Sequence, residues 1–290
     1  MIVAIFGPTA SGKSAAAIDL AERIDGEIVS ADAMQLYAGL PVLSNQPSAS
    51  DRARVAHHLV GIWPATATGG VARYATLAHA AIDAILARGR VPIVAGGTGL
   101  YLRAALADLD LPPQPPPELR ARIQAEYDHG PAAAYARLVT ADADAAGRIH
   151  PNDRRRVVRA LELHELGSSL APVADDLWSG RSRHPTRIVG LVVPRPELHR
   201  RIEQRTDAML AGGALDEVRA VYAAGPPSTT AARTLGLAEI RRHLDGATSL
   251  EAVRQRLIER TRSYARRQEV WMRKIPNIEL VESGRVPTSG

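Results

Sequence analysis

Residues 2–6 (IVAIF) are an unbroken apolar run, too short for a buried helix and closed by Gly7, which predicts a strand covered on both faces. Small residues fill Gly7–Gly12, and SAAAIDLAERI then repeats its apolar positions at helical spacing. EIVSAD (27–32) predicts a second strand ending at Asp32, 72–89 a helix closed by Gly89, and VPIVAGG (91–97) a third strand entering a Gly-rich turn. LPPQPPP (111–117) cannot be helical and reads as a stiff linker. Helical patterns follow at 118–128, 131–139 and 152–166, and then a polar, loop-like stretch at 167–186. RIVGLVV (187–193) is again a buried-strand pattern, followed by helical spacing over 195–223, 235–244 and 249–273 and an edge strand at 277–282. Strands alternating with helices predict the α/β class, with a parallel sheet flanked by helices. The expected organisation is a core of residues 1–112 and 187–290 carrying a helical insertion domain at 113–186.

Composition narrows the chemistry. The 290 residues are 46% hydrophobic and 23% charged, which suits a folded protein rather than a disordered one. With no cysteine, a disulfide scaffold, a thiolate metal site and a cysteine nucleophile are excluded. No apolar run reaches the roughly 20 residues of a membrane span. MIVAIFGPTASGK lacks a basic leader and a cleavage site, so a cytoplasmic location without membrane contact is expected. Charge is uneven: residues 1–110 carry 8 basic and 9 acidic side chains, so the net +5 of the chain comes from the remainder. Residues 251–274 hold 8 basic against 3 acidic, and Arg148, Arg154, Arg155, Arg156 and Arg159 face only Asp153. This asymmetry suits either a polyanionic partner that touches part of the molecule or a solvated arginine-rich face. Lysine occurs only at Lys13 and Lys274 among 36 basic residues, so position 13 needs the thinner, compact cation.

Gly7-Pro8-Thr9-Ala10-Ser11-Gly12-Lys13-Ser14 matches G-x-x-x-x-G-K-[ST] between a strand and a helix, the setting of a P-loop. Its backbone N–H groups and the helix N-terminus favour linked phosphates, Lys13 adds a formal charge, and the Ser14 hydroxyl can ligate Mg²⁺. Among the predicted strands only EIVSAD offers an Asp at its C-terminal end, and Asp32 reads there as a metal ligand or a general base, or as a turn or helix-cap residue. Thr98 sits in the turn after the third strand, where Gly96, Gly97 and Gly99 allow close approach of a ligand. Tyr264 and Trp271 lie among Arg262, Arg266, Arg267, Arg273 and Lys274, a pattern that suits phosphate contact with base stacking, or an amphipathic core helix.

Five segments together resemble the tRNA dimethylallyltransferases, the tRNA isopentenyltransferases of bacteria: GPTASGKS, SADAMQLY (30–37), the GGTGLYLRAL-like segment (96–106), HPNDRRRVVRALEL (150–163) and RTRSYARRQEVWMRK (260–274). They fall in family order over nearly the whole chain. The resemblance implies a P-loop-type core, an insertion that grips the tRNA anticodon stem-loop, and transfer of a dimethylallyl group from dimethylallyl diphosphate to N6 of the adenosine 3′ to the anticodon. It implies Asp32 as general base, Thr98 fixing the amine, and Lys13 and Arg233 beside the diphosphate, which Gly7 to Ser14 hold with Mg²⁺ on Ser14. ATP binding follows only by motif. For tRNA contact it implies Asp32, Ala33, Met34, Gln35, Thr98, Arg120 and the run Arg155, Arg156, Val157, Val158 and Arg159, on a chain read as a monomer. Ala33, Leu237 and the Val42-Leu43-Ser44-Asn45-Gln46 run depart from the family pattern. Two other readings share the loop: a small-molecule P-loop kinase, which does not require the basic helix, and a tRNA-binding module without chemistry.

Overall fold

The structure, a computed structural model, describes residues 1–109, 111–170 and 182–283. Six strands form one sheet: β1 (Ile2–Phe6), β2 (Gly26–Ser30), β3 (His57–His58), β4 (Val91–Gly96), β5 (Thr186–Val192) and β6 (Glu279–Glu282). Their order is β3-β2-β4-β1-β5-β6, and every neighbouring pair is parallel. Parallel strands need crossovers that cover both faces, which is why β1 is apolar throughout and buried at all five positions. The chain leaves β1 toward β2, β3 and β4 on one side and resumes on the other with β5 and β6. The carboxyl end of β1 is therefore the point where the winding reverses, the usual crevice for a ligand in such sheets.

Helix α1 (Lys13–Ile24) lays Ala16, Ala17, Ile18, Leu20 and Ala21 against the sheet, where they join Val3, Ile5, Ile28, Ile93, Val189 and Leu191. Short α2 (Ala49–Arg54) precedes β3, and α3 (Val71–Ala87) leads into β4. The turn after β4 is not an open loop: α4 (Gly99–Leu106) starts there, with Thr98 at its N-cap position. The helical spacing over 195–223 belongs to two helices, α9 (Arg195–Ala211) and α10 (Ala214–Ala223). The break falls at Gly212-Gly213, where Gly213 has φ 98°, a conformation that an apolar-periodicity argument does not register. After a 3₁₀ turn (Ala231–Arg233) come α11 (Leu237–Leu244) and the long α12 (Leu250–Met272). Among the described residues, no helix is long and apolar enough to cross a membrane.

Two compact units result, Met1–Asp108 with Arg181–Gly290, and Leu109–Gly180. Residues 182–186, expected in the insertion, are hydrogen-bonded within the first unit. Arg183 donates its N–H to the carbonyl of Leu106, His184 pairs with Asp83, and Ile2 donates to the carbonyl of Pro185. Of the polar stretch expected at 167–186, residues 171–181 lie outside the described residues, as do 284–290 of the expected core. The second unit is helical: α5 (Pro117–His129), α6 (Pro131–Ala141), α7 (Ala143–Ala146) and α8 (Arg154–Glu165). The proline run ends by supplying the first residue of α5, where a missing N–H costs nothing. Ile123, Tyr127, Leu138, Val157 and Leu161 form its core.

Candidate functional site

Between β1 and α1 the chain turns through Gly7–Gly12. Ser11 donates its N–H to the carbonyl of Pro8 at 3.1 Å, and Ala10 (φ 68°) and Gly12 (φ 85°) take left-handed backbone. Such a turn points successive N–H groups inward, and the start of α1 adds its positive end. A Cβ on Gly7 would stand 2.6 Å from Ser11 Oγ, so the loop closes this tightly only with glycine there. One amide of the expected cradle is directed elsewhere: Thr9 N–H donates to Gln268 Oε1 at 2.8 Å.

The loop forms one wall of a cleft of about 400 Å³. Thr9, Ala10, Gly12, Lys13 and Ser14 line it, with Ser30, Asp32 and Gln35 from the end of β2, Ala95 and Gly96 from β4, and Arg201, Gln204 and Arg205 from α9. Asp32 is the only carboxylate among these residues. It lies two residues beyond Ser30, the last residue of β2, rather than within the strand. Its Oδ1 accepts the Met34 N–H at 2.9 Å and its own N–H donates to Ser30 Oγ at 3.4 Å. The carboxylate is thereby oriented, and Oδ2 has no hydrogen-bond partner among the described residues.

Lys13 donates to the carbonyl of Pro8 at 3.4 Å. Burial pushes its ammonium down to about 8; the charge of Asp32 works against that shift and the neighbouring Arg205 adds to it. Arg205 is a charged cleft side chain that motif reasoning missed. Burial lowers its pKa, Asp32 opposes the shift, and it forms no ion pair with any described residue. The guanidinium stays charged even so. Its signal in the sequence was faint, one arginine in the i, i+4 pair Arg201/Arg205 of a helix otherwise rich in charge. Arg201 is committed to Glu197 and Ser283 at 2.7 and 3.0 Å.

Lys13, Ser14 and Asp32 therefore share one cleft, while Thr98 and Arg233 are absent from its lining. Thr98 Oγ1 meets Tyr264 Oη at 3.2 Å, and Tyr264, raised to about 12 by burial, also feels the charge of Asp32. Arg233 is exposed on the 3₁₀ turn, and its charge reaches Tyr101, which burial also pushes up to about 12. Helix α12 is amphipathic: Leu257, Ile258, Ala265, Gln268 and Met272 are buried, whereas Arg266, Arg267, Arg273 and Lys274 are exposed.

Several residues expected to face nucleic acid are committed internally. The Gln35 amide donates to the carbonyl of Asn45 at 2.7 Å and accepts the Ser30 hydroxyl at 2.8 Å, and the residue lines the cleft. Met34 Sδ accepts the Thr234 hydroxyl at 3.2 Å; Ala33 is half-buried beside it. Within the second unit, Val157 and Val158 belong to the core, because the apolar stripe of α8 passes through them. Arg120 and Arg159 each reach the buried carboxylate of Glu162 at 3.2 Å, and Arg159 also donates to the carbonyls of Pro112 and Pro113. Removing either would leave a buried charge poorly matched. Arg155 and Arg156 are exposed, and Arg155 has no ion pair among the described residues.

Fold and cleft together define a P-loop-type α/β protein whose glycine-rich loop lines a cleft beside a single carboxylate. A family model described as IPP transferase matches residues 35–275, and one described as isopentenyl transferase matches residues 1–56. The chain is 42% identical over 285 residues to a tRNA dimethylallyltransferase of Streptomyces coelicolor, covering 98% of this chain and 90% of that one. A relative of the same name from Anaeromyxobacter dehalogenans is 46% identical over 274 residues, covering 94% and 92%. The fold matches the crystal structure of the full-length tRNA isopentenylpyrophosphate transferase of Bacillus halodurans with a TM-score of 0.71 at 33% identity, over 97% of this chain and 89% of that one. It also matches a eukaryotic dimethylallyltransferase acting on tRNA, with a TM-score of 0.78 at 27% identity, over 97% and 73%. The chain belongs to the IPP transferase family.

Proposed function

We propose that this protein is a tRNA dimethylallyltransferase, which moves a dimethylallyl group from its diphosphate to N6 of the adenosine 3′ to the anticodon. The observation that carries this reading is a cleft lined together by the phosphate loop, Lys13, Arg205 and one carboxylate, Asp32. In the reaction the N6 lone pair attacks C1 of the donor, the C1–O bond breaks, and its electron pair leaves with pyrophosphate. The proton lost from N6 passes to Asp32. Fixed donors are most effective where charge grows in the transition state, and here it grows on the departing oxygen. In this reading the remaining loop amides, Lys13 and Arg205 meet that charge. An aromatic amine is a weak nucleophile, and a base in reach of its proton contributes about 10²–10⁴-fold. The target base must leave its stack to enter such a cleft.

Ser14 places a hydroxyl on the cleft. Mg²⁺ bound to phosphates takes few protein oxygens, so this donor set fits it. When bound, the ion would neutralise part of the leaving-group charge.

The kinase reading has one thing in its favour, the motif itself, and no feature of the cleft specifies a small acceptor. The test incubates the purified chain with labelled dimethylallyl diphosphate and an anticodon stem-loop RNA, without ATP. Label in the RNA is the expected result. ATP-dependent phosphorylation of a small acceptor, with no transfer to RNA, would replace this reading with the kinase.

Two measurable consequences follow from the electrostatics. Burial brings the Lys13 ammonium down to about 8, so it should lose its proton in the mildly alkaline range. Affinity of the free protein for inorganic pyrophosphate should thus fall as pH rises through that value, well before the roughly 10 of an ordinary lysine. Isothermal titration between pH 7 and 9.5 checks this; a flat affinity to pH 9.5 would contradict it. In the second unit, Arg155→Ala with Arg156→Ala should weaken stem-loop binding and reduce the slope of log affinity against log salt by about 1.5. An unchanged slope would mean that these arginines meet only solvent.

A further inference from the structure

We infer that Gln268 is a positioning residue for the transfer reaction: its buried carboxamide ties the phosphate loop to the β4–α4 turn and sets both before the diphosphate arrives. The inference rests on the prenyl-transfer reading above. Gln268 is 2% exposed on the inner face of α12. Its Oε1 accepts the Thr9 N–H and its Nε2 donates to the carbonyl of Gly97, each at 2.8 Å. An amide buried without partners would be costly, whereas an apolar side chain would fill the same helix position at no such risk. Both polar atoms are instead matched, and both to main chain of the two loops that meet at the cleft.

The fit is close on the far side as well. A Cβ on Gly97 would stand 2.1 Å from Gln268 Nε2 and 2.9 Å from the carbonyl oxygen of Gly7. Glycine at 97 is what lets loop, turn and amide come together. The same face of α12 holds the next two residues of the turn. Tyr264, one helical turn before Gln268, meets Thr98 Oγ1 at 3.2 Å. Trp271, three residues after it, covers Gly99, where a Cβ would lie 2.4 Å from the indole. Three side chains of one helix thus grip residues 97, 98 and 99 in succession, and only Gln268 also holds the phosphate loop.

The backbone at Ala10 and Gly12 is left-handed, and for alanine that conformation is unfavourable without external support. Anchoring Thr9 just upstream supplies such support. With the anchor removed, the ligand itself must order the loop, so both affinity and rate decline. Gln268 touches neither donor nor acceptor; it acts through Thr9 and Gly97.

The experiment compares Gln268→Met and Gln268→Glu with wild type in the full chain. It measures Kd for inorganic pyrophosphate, kcat and KM for dimethylallyl diphosphate, Kd for the stem-loop RNA, and the melting temperature. Gln268→Met should raise the pyrophosphate Kd about tenfold or more and lower kcat by a similar factor. Stem-loop affinity should stay within about twofold. Gln268→Glu preserves the shape, and its acid form restores both hydrogen bonds. Its pyrophosphate affinity should therefore approach wild type at low pH and fall as the carboxyl ionises. A folded Gln268→Met with wild-type pyrophosphate affinity and kcat overturns the inference. If that variant does not fold, a Gln268→Glu affinity profile parallel to wild type across pH overturns it equally. Pyrophosphate binding needs no prenyl transfer, so a wild-type protein that fails to alkylate RNA would sink the functional reading while this comparison still stands.

Discussion

Asp32→Asn should lower the single-turnover rate of prenyl transfer by about 10²–10⁴-fold while the pyrophosphate Kd stays within about threefold of wild type. Asparagine can still accept the Met34 N–H that orients residue 32, so the turn after β2 survives. What disappears is the basicity of the oxygen that has no hydrogen-bond partner among the described residues. Removing a negative charge next to Lys13 and Arg205 also makes the cleft more attractive to an anion, so weaker pyrophosphate binding is not expected. Rapid-quench kinetics with saturating donor isolate the chemical step from release. Equal losses in rate and in pyrophosphate affinity would show that Asp32 shapes the diphosphate site and does not act on the incoming amine.

Lys13→Ala should reduce kcat/KM for dimethylallyl diphosphate by about 10²–10³-fold, the usual consequence of removing a fixed donor from developing negative charge. Arg205 cannot substitute, because it reaches the cleft from α9 and not from the phosphate loop. Lys13→Arg is the sharper variant. It conserves charge but inserts a planar fork where a narrow ammonium lies against the carbonyl of Pro8, and it brings a second guanidinium toward Arg205. Most of the alanine effect should therefore persist in the arginine variant. Wild-type kcat/KM in Lys13→Arg would refute the steric argument drawn from the scarcity of lysine in the chain.

The sheet was legible because buried parallel strands are written as short apolar runs, and IVAIF, VPIVAGG and RIVGLVV each fall on a strand. The phosphate loop was legible because backbone curl and close approach demand particular residues at fixed spacing. Other features leave no local trace. The two-residue β3 is too short to show alternation. The break at Gly212-Gly213 depends on backbone conformation rather than hydrophobic period. That the Gln35 amide is held by Ser30 and Asn45 is likewise not written in its motif. Val157 and Val158 sit inside a basic run whose motif says nothing about which face points inward. Arg205 and Gln268 were hidden for a different reason. Each acts at the cleft from nearly 200 or more residues beyond Lys13, and sequence separation on that scale carries no periodic signature.

That separation bears on synthesis. A polypeptide emerging from the ribosome has its glycine loop first, but β1 lacks its neighbour β5 until residue 192 is out, and the amide at position 268 follows much later. Domains acquire structure as their parts become available during translation. Until α12 has been made, the Thr9 N–H lacks its Gln268 anchor, although β4 is already available to pair with β1. Ribosome-bound intermediates stalled before and after α12 should differ sharply in protease resistance around residues 7–14.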